Sequence, residues 1–324
     1  MPVLNIIQAV NDALRLEMRR DPRVVVLGED IGKFGGVFRA TLGLVEEFGT
    51  DRVIDTPLAE AGIIGASIGM ALYGLKPVPE IQFSDFIFPA FDQIVNELAK
   101  IRYRSGGQYR APVVIRTPVG GGIKGGHYHS QSPEALFIHT PGLQVVCPSN
   151  PYDAKGLLLS CIRQDDPVIF MEPKRVYRAA RNEVPEGDYT IPLGQARVVR
   201  EGKGMTVIAW GAMFHEAEQA AAQAPELDVE LIDPRTLWPL DIEAITRSVR
   251  KTGRCAIVQE APRTNGFAAE ISSLIQERCF TSLEAPVSRI TGYDTPFPYT
   301  LENDYLPLAP RVLKSLRDLA AYQA

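Results

Sequence analysis

The sequence predicts an α/β protein of two domains, each a mainly parallel sheet flanked by helices. Three observations predict it. Short apolar runs recur, and they are continuous rather than alternating, as parallel strands covered on both faces should be. Stretches with helical spacing lie between them, the rhythm of a sheet clothed by helices. The rhythm breaks once, in the polar segment 180–205 that begins "ARNEVPEGDYTIPLG", and then restarts. The domains are accordingly expected at 1–185 and 186–324.

The elements follow in order. A helix is expected over 5–20, then a strand at "VVVLG" (24–28). A second helix covers 60–74, followed by a strand at 76–83, a helix at 87–104 and strands at 112–118 and 143–149. Ser149 and Asn150 are cap candidates for a helix over 150–164, with Pro151 in its first turn. A strand at 167–173 ends the first series. After the linker come strands at 205–210, 228–233, 254–260 and 287–291. Helices at 213–224, 241–250 and 266–279 alternate with them, and a closing helix starts near Pro310.

Composition narrows the function. Of 324 residues 45% are hydrophobic, enough for a sizeable core and too many for disorder. The net charge of −5 has both signs interspersed, so no basic stripe points to nucleic acid. No apolar run reaches membrane-spanning length. The N-terminal segment carries charges throughout and reads as a helix rather than a signal peptide. Cys147, Cys161, Cys255 and Cys279 are scattered without a CxxC, as reduced core thiols of a cytoplasmic protein would be.

Two stretches carry candidate chemistry. In "GGGIKGGHYHSQSPEALFIHT" (120–140), His127, His129 and His139 follow a glycine-rich run. Gly120, Gly122 and Gly125 form G-x-G-x-x-G, yet no helix opens on it and no acidic residue ends the next strand. A Walker loop fails too, because Gly125-Gly126-His127 stands where G-K-[ST] belongs. In an extended segment His127 and His129 would face the same way, so a metal site is one reading. Proton transfer and a structural role are the others. The second stretch is "DTPLAEAGIIG", where Glu60 opens a helix. It is either a first-turn carboxylate matched to the helix dipole or an acid raised in pKa by apolar neighbours. The same helix carries Gly62, Gly65, Ala66 and Gly69 on one face. That face suits close approach of another helix, inside the domain or from another subunit.

Together these stretches resemble a known family. Its carriers include "VVVLGEDIGKFGGVFRAT", "RVIDTPLAEAGIIGASIGMA", "PEIQFSDFIFPAFDQIVNE", "HYHSQSPEALF", "EPKRVYRA", "DPRTLWPLD" and "EAPRTNGFAAEI". They run the length of the chain. The chain is similar to the β subunits of the thiamine-diphosphate-dependent 2-oxoacid dehydrogenases, nearest to the branched-chain (2-oxoisovalerate) type. The resemblance implies a transketolase-like pyrimidine-binding domain followed by a transketolase C-terminal-like domain. It implies that thiamine diphosphate is shared with an α subunit, which holds the diphosphate and Mg²⁺ through a GDG…N motif. That motif is absent here, since Gly187-Asp188 is followed by Tyr189. The implied assembly has two α and two β chains, and a lipoyl-bearing dihydrolipoyl acyltransferase core receives the acyl group. The implied setting is the cytoplasm of a bacterium.

Residue by residue, the resemblance makes Glu60 the acid that hydrogen-bonds the cofactor's pyrimidine. Phe86 matches the aromatic stacked on that ring. Leu58, Ala59 and Gln82 match the lining of the cofactor pocket, and Glu29 a polar contact near it. His129 matches the acid/base of acyl transfer to lipoamide, with Phe86 beside it facing substrate and His127 behind. Three alternatives are weighed: a pyruvate or acetoin enzyme of the same family, a non-catalytic scaffold that docks the acyltransferase, and a transketolase-type sugar enzyme. Intact Glu60 and His129 disfavour the scaffold. The short chain and missing diphosphate motif disfavour the sugar enzyme.

Overall fold

A computed structural model describes residues 1–323. The first half contains β1 (Val3–Asn5), β2 (Val24–Gly28), β3 (Val53–Asp55), β4 (Lys76–Glu80), β5 (Val114–Val119), β6 (Gln144–Val146), β7 (Val168–Pro173) and β8 (Arg181–Glu183). The second contains β9 (Arg197–Arg200), β10 (Met205–Ala209), β11 (Val229–Asp233), β12 (Thr236–Trp238), β13 (Cys255–Val258) and β14 (Ser288–Ile290).

Seven strands form the first sheet, in the order β12-β6-β7-β5-β4-β2-β3. Its pairs from β3 to β6 are all parallel. Five form the second, β14-β13-β10-β11-β9, parallel except for the β9 edge. The expected mainly parallel sheets are therefore present. The apolar runs of β2, β10 and β13 are buried at every position, which is why their sequences do not alternate.

Several expectations need correction. The linker 180–205 is not structureless: β8 pairs antiparallel with β1, and β9 edges the second sheet. The helix expected over 87–104 is broken into 3₁₀ turns, a π-helical stretch at Gln93–Glu97 and a last turn at Ile101–Arg104. Such π turns widen the helix locally and move side chains off the α register. Asn150, not Ser149, caps helix Pro151–Arg163, accepting from the Asp153 amide at 2.9 Å. Ser149 instead donates to the Asp233 carboxylate.

Strand β12 was not foreseen as part of the first sheet. It leaves the second half and pairs antiparallel with β6. The two halves are thus tied by backbone hydrogen bonds as well as by shared core. Ile208, Trp210 and Ile257 of the second half pack in the same apolar cluster as Ile115, Val145 and Ile169 of the first. A buried ion network lies within the first sheet. Arg116 of β5 donates to Glu80 of β4 at 2.8 Å and to both carboxylate oxygens of Glu172 of β7, at 2.7 and 3.1 Å. Tyr177 donates a further bond to Glu172. A fully surrounded guanidinium of this kind fixes three neighbouring strands in register.

Candidate active site

The site grows from the carboxyl ends of five adjacent parallel strands. Glu29 follows β2, Leu58 to Glu60 follow β3, Gln82 to Phe86 follow β4, the glycine loop follows β5, and Lys174 follows β7. The chain runs from β2 out to β3, then returns to β4 on the other side of β2. That reversal is a topological switch point, where loops diverge and leave a crevice at the carboxyl edge.

Local bonds hold the loops in place. The Asp55 carboxylate accepts from the Gly32 amide at 2.6 Å, and the Thr56 amide donates to the Gly28 carbonyl at 2.9 Å. These bonds tie the loop after β3 to the loop after β2. Glu60 is the first residue of helix Glu60–Leu72 and is buried. Its carboxylate accepts no hydrogen bond among the described residues. Glu29 is also buried, and burial raises its carboxyl pKa, with the nearby Glu60 and Asp30 charges adding to the rise. Gln82 reaches across the switch point to Asp30 at 3.4 Å. Leu58 and Ala59 face outward, Leu58 with 79% of its surface exposed.

The aromatic group and the histidine come together. The His129 ring stands edge-on to Phe83, with centroids 4.6 Å apart, and to Phe86, at 5.3 Å. His127 does not share that direction, as it would in an extended segment. Residues Gly126–Tyr128 form a 3₁₀ turn, which rotates His127 onto Tyr128 and Tyr299. His139 lies apart, past helix Glu134–Ile138. Among the described residues no three His, Cys, Asp or Glu side chains are grouped to hold a metal, so the metal reading of the histidines has no ligand set here. All four cysteines are buried and unpaired.

The second half clasps the glycine loop. Glu260 accepts from the Gly121 amide, and Glu302 from the Lys124 amide at 2.9 Å. Gly126 sits at φ +63° with the Tyr299 ring against it, so any side chain there would collide with the ring. Sequence reading missed these carboxylates because they lie 139 and 178 residues from their partners. It also passed over Lys174. That amine is buried with no hydrogen-bond partner, and burial lowers its pKa to about 8 against the pull of Glu260, Asp85 and Glu302. On the other side of the loop a cavity of 740 Å³ separates the two halves, lined by His127, Tyr128, Gln131, Phe88, Glu260 and Phe297 among others. Glu60, Phe86 and His129 do not line it.

The helix face expected to meet another helix is open in this chain. Gly62, Ala66, Gly69 and Tyr73 are exposed, Tyr73 at 94%, whereas Gly65 is half-buried, with Gln93 3.7 Å from where a side chain would begin. A side-chain atom added at Gly69 would meet nothing within 4 Å. Tight packing inside the domain therefore does not explain Gly62, Ala66 and Gly69.

Comparison with known proteins agrees with this architecture. Residues 3–180 match the family model described as transketolase, pyrimidine binding domain, and residues 194–312 match transketolase, C-terminal domain. The chain is 55% identical to a mitochondrial 2-oxoisovalerate dehydrogenase subunit beta of Dictyostelium discoideum, over 98% of this chain and 87% of that protein. It is 49% identical to the pyruvate dehydrogenase E1 component subunit beta of Bacillus subtilis, over 99% of this chain and 100% of that protein. A solved structure described as a split gene transketolase, inactive beta4 tetramer, superposes with a TM-score of 0.81 at 22% identity, covering 99% of each chain; it attests the fold. The chain belongs to the 2-oxoisovalerate dehydrogenase β-subunit family.

Glu134 yields a test of the buried electrostatics. Burial lifts its carboxyl to about 8, and one of its oxygens has no partner. The folded protein thus keeps a proton that the unfolded chain, with an ordinary value of 4.5, gives up. Stability contributed by this group is lost as pH rises through that window. Glu134→Gln should flatten the decline in Tm between about pH 5 and pH 8 and raise Tm at the upper end. Differential scanning calorimetry across that range checks it; a decline as steep as in the unsubstituted protein would refute the assignment.

Proposed function

We propose that this member of the 2-oxoisovalerate dehydrogenase β-subunit family supplies half of a thiamine-diphosphate-dependent active site. The other half comes from an α subunit. The enzyme so formed decarboxylates branched-chain 2-oxoacids and passes the acyl group to the lipoyl arm of an acyltransferase core in the bacterial cytoplasm. One observation carries the reading: the strand-end loops bring Glu29, Glu60, Phe86 and His129 to one carboxyl edge.

The residues fit the cofactor's pyrimidine. Glu60 offers a buried carboxylate with no protein partner, and half-buried Phe86 offers a ring for stacking. When bound, thiamine diphosphate supplies the carbon nucleophile and the electron sink for decarboxylation. Glu60 holds a proton at the pyrimidine ring nitrogen. Glu29 lies near it, and burial together with the Glu60 charge raises the Glu29 carboxyl pKa. Leu58, Ala59 and Gln82 line the approach. His129 gives or takes a proton at the sulfur of the lipoyl group, and Phe83 and Phe86 fix the plane of its ring. The diphosphate and Mg²⁺ are assigned to the α subunit because the GDG…N motif tied to them is missing from this sequence, where Gly187-Asp188 is followed by Tyr189.

The branched-chain preference follows the relatives at up to 55% identity. The test is co-expression with an α chain and a panel of 2-oxoacids. The valine-, leucine- and isoleucine-derived acids should show higher kcat/KM than pyruvate. A preference for pyruvate would assign the other branch, and turnover by the isolated chain would refute the half-site.

Within that enzyme the two candidate residues should separate. Glu60→Gln should slow hydrogen exchange at the reactive thiazolium carbon by about 10²–10⁴-fold. His129→Ala should damage acyl transfer to lipoamide more than decarboxylation read with an artificial oxidant. Unchanged exchange, or an equal fall in both activities of the histidine variant, would remove the assigned roles.

The exposed small-residue face is assigned to subunit assembly. Gly69→Leu puts methylenes where this chain has nothing to meet them, so the fold should keep its Tm. A close-packed contact with another subunit has no room for them. Light scattering should show the two-α, two-β assembly lost; normal heterotetramers would place the interface elsewhere.

A further inference from the structure

The link between Phe86 and His129 is made by one short turn. Residues Ser84–Phe86 form a 3₁₀ turn after β4, and Ser84 and Asp85 are buried. Asp85 Oδ1 accepts from the backbone amides of Ser130 and Gln131, both at 3.1 Å. Ser84 Oγ donates to the Gln131 carbonyl at 3.0 Å, and the Gly120 amide donates to the same carbonyl at 3.0 Å. The next residue after Asp85 carries the ring that touches His129. The segment after His129 and the aromatic beside it are therefore fixed by the same three residues.

We propose that Asp85 is a positioning residue, holding the backbone just after His129 so that the imidazole stays against Phe83 and Phe86. The inference rests on the functional reading above for its catalytic consequence, and on geometry alone for its structural one. The glycine-rich approach to His129 has little order of its own. Gly122 and Gly126 both lie at positive φ, and the preceding turn is held from the second half through Glu260 and Glu302. On the side after His129, a buried carboxylate paired with two amides is the anchor, and charge-assisted bonds of this type are among the stronger ones. Misplacing a reacting group by about 1 Å costs about 10²-fold in rate. Acceptor position, rather than charge, sets the geometry, so asparagine at this position can still accept through Oδ1.

The test has two arms. In the chain by itself, the His129 ring signal is followed by ¹H–¹³C NMR, assigned with His129→Ala. Asp85→Ala should shift it away from the ring-current position set by Phe83 and Phe86, and Asp85→Asn should leave it close to the parent. In the enzyme assembled with its α chain, Asp85→Ala should lower acyl transfer to lipoamide by about 10- to 100-fold. Decarboxylation read with an artificial oxidant should fall several-fold less, with Asp85→Asn restoring most of the difference. If Asp85→Ala does not fold, Asp85→Glu, which keeps the charge and moves the acceptor by one carbon, should give the same shift and the same split. An unmoved His129 signal, or an asparagine variant as damaged as the alanine, overturns the proposal. A parent enzyme that processes no 2-oxoacid overturns the functional reading instead and leaves the NMR arm to decide the positioning role.

Discussion

Backbone amides of a glycine-rich loop bonded to carboxylates from elsewhere in the chain are the constraint on which the site depends. Glycine loses more conformational freedom on ordering than any other residue, so the run 120–126 cannot hold a shape unaided. Its order is imposed by Asp85 on one side and by Glu260 and Glu302 on the other. These acceptors come from a turn of the first sheet and from the second half of the chain. The place of His129 is therefore a property of both halves together. The unpartnered Lys174 amine lies among these acids, and its charge opposes the burial that raises the Glu260 carboxyl pKa.

Beneath the loops the first sheet supplies rigidity. Arg116 bridges Glu80 and Glu172, so β4, β5 and β7 are cross-linked close to where their loops depart. A buried ion pair costs desolvation that hydrophobic residues would avoid, and its return is a fixed register. Here the register matters, because a strand displaced by one residue would carry Phe86 or the histidine loop away from the crevice. Strand β12 adds a second tie, binding the far edge of this sheet to the half that holds the loop.

The proposed division of the active site accounts for features that look costly in the chain alone. Leu58 and Tyr73 are exposed, and a glycine-bearing face is open although interior glycines weaken a helix by about 1 kcal/mol each. Large apolar residues beside small ones, on the surface next to a candidate site, suit a close-packed subunit contact. In this reading the pyrimidine side of the cofactor meets Glu60 and Phe86, and the anionic side belongs to the partner.

Much of the fold was determined locally and so could be read from sequence. Continuous apolar runs mark strands covered on both faces, and β2, β10 and β13 lie where those runs stand. Glu60 at the head of a glycine-bearing helix and a histidine loop after a strand were likewise visible, because each is a local pattern. Their family resemblance pointed to Phe86, and the tertiary structure put its ring against His129. Three features were decided only in three dimensions. The π-helical break after Phe86, the divergence of His127 from His129 and the crossing of β12 to the first sheet leave no periodic trace. Asp85, Glu134, Glu260 and Glu302 look in sequence like ordinary surface acids. What distinguishes them is burial and the partner each meets, and those are set by how distant segments pack rather than by neighbours along the chain.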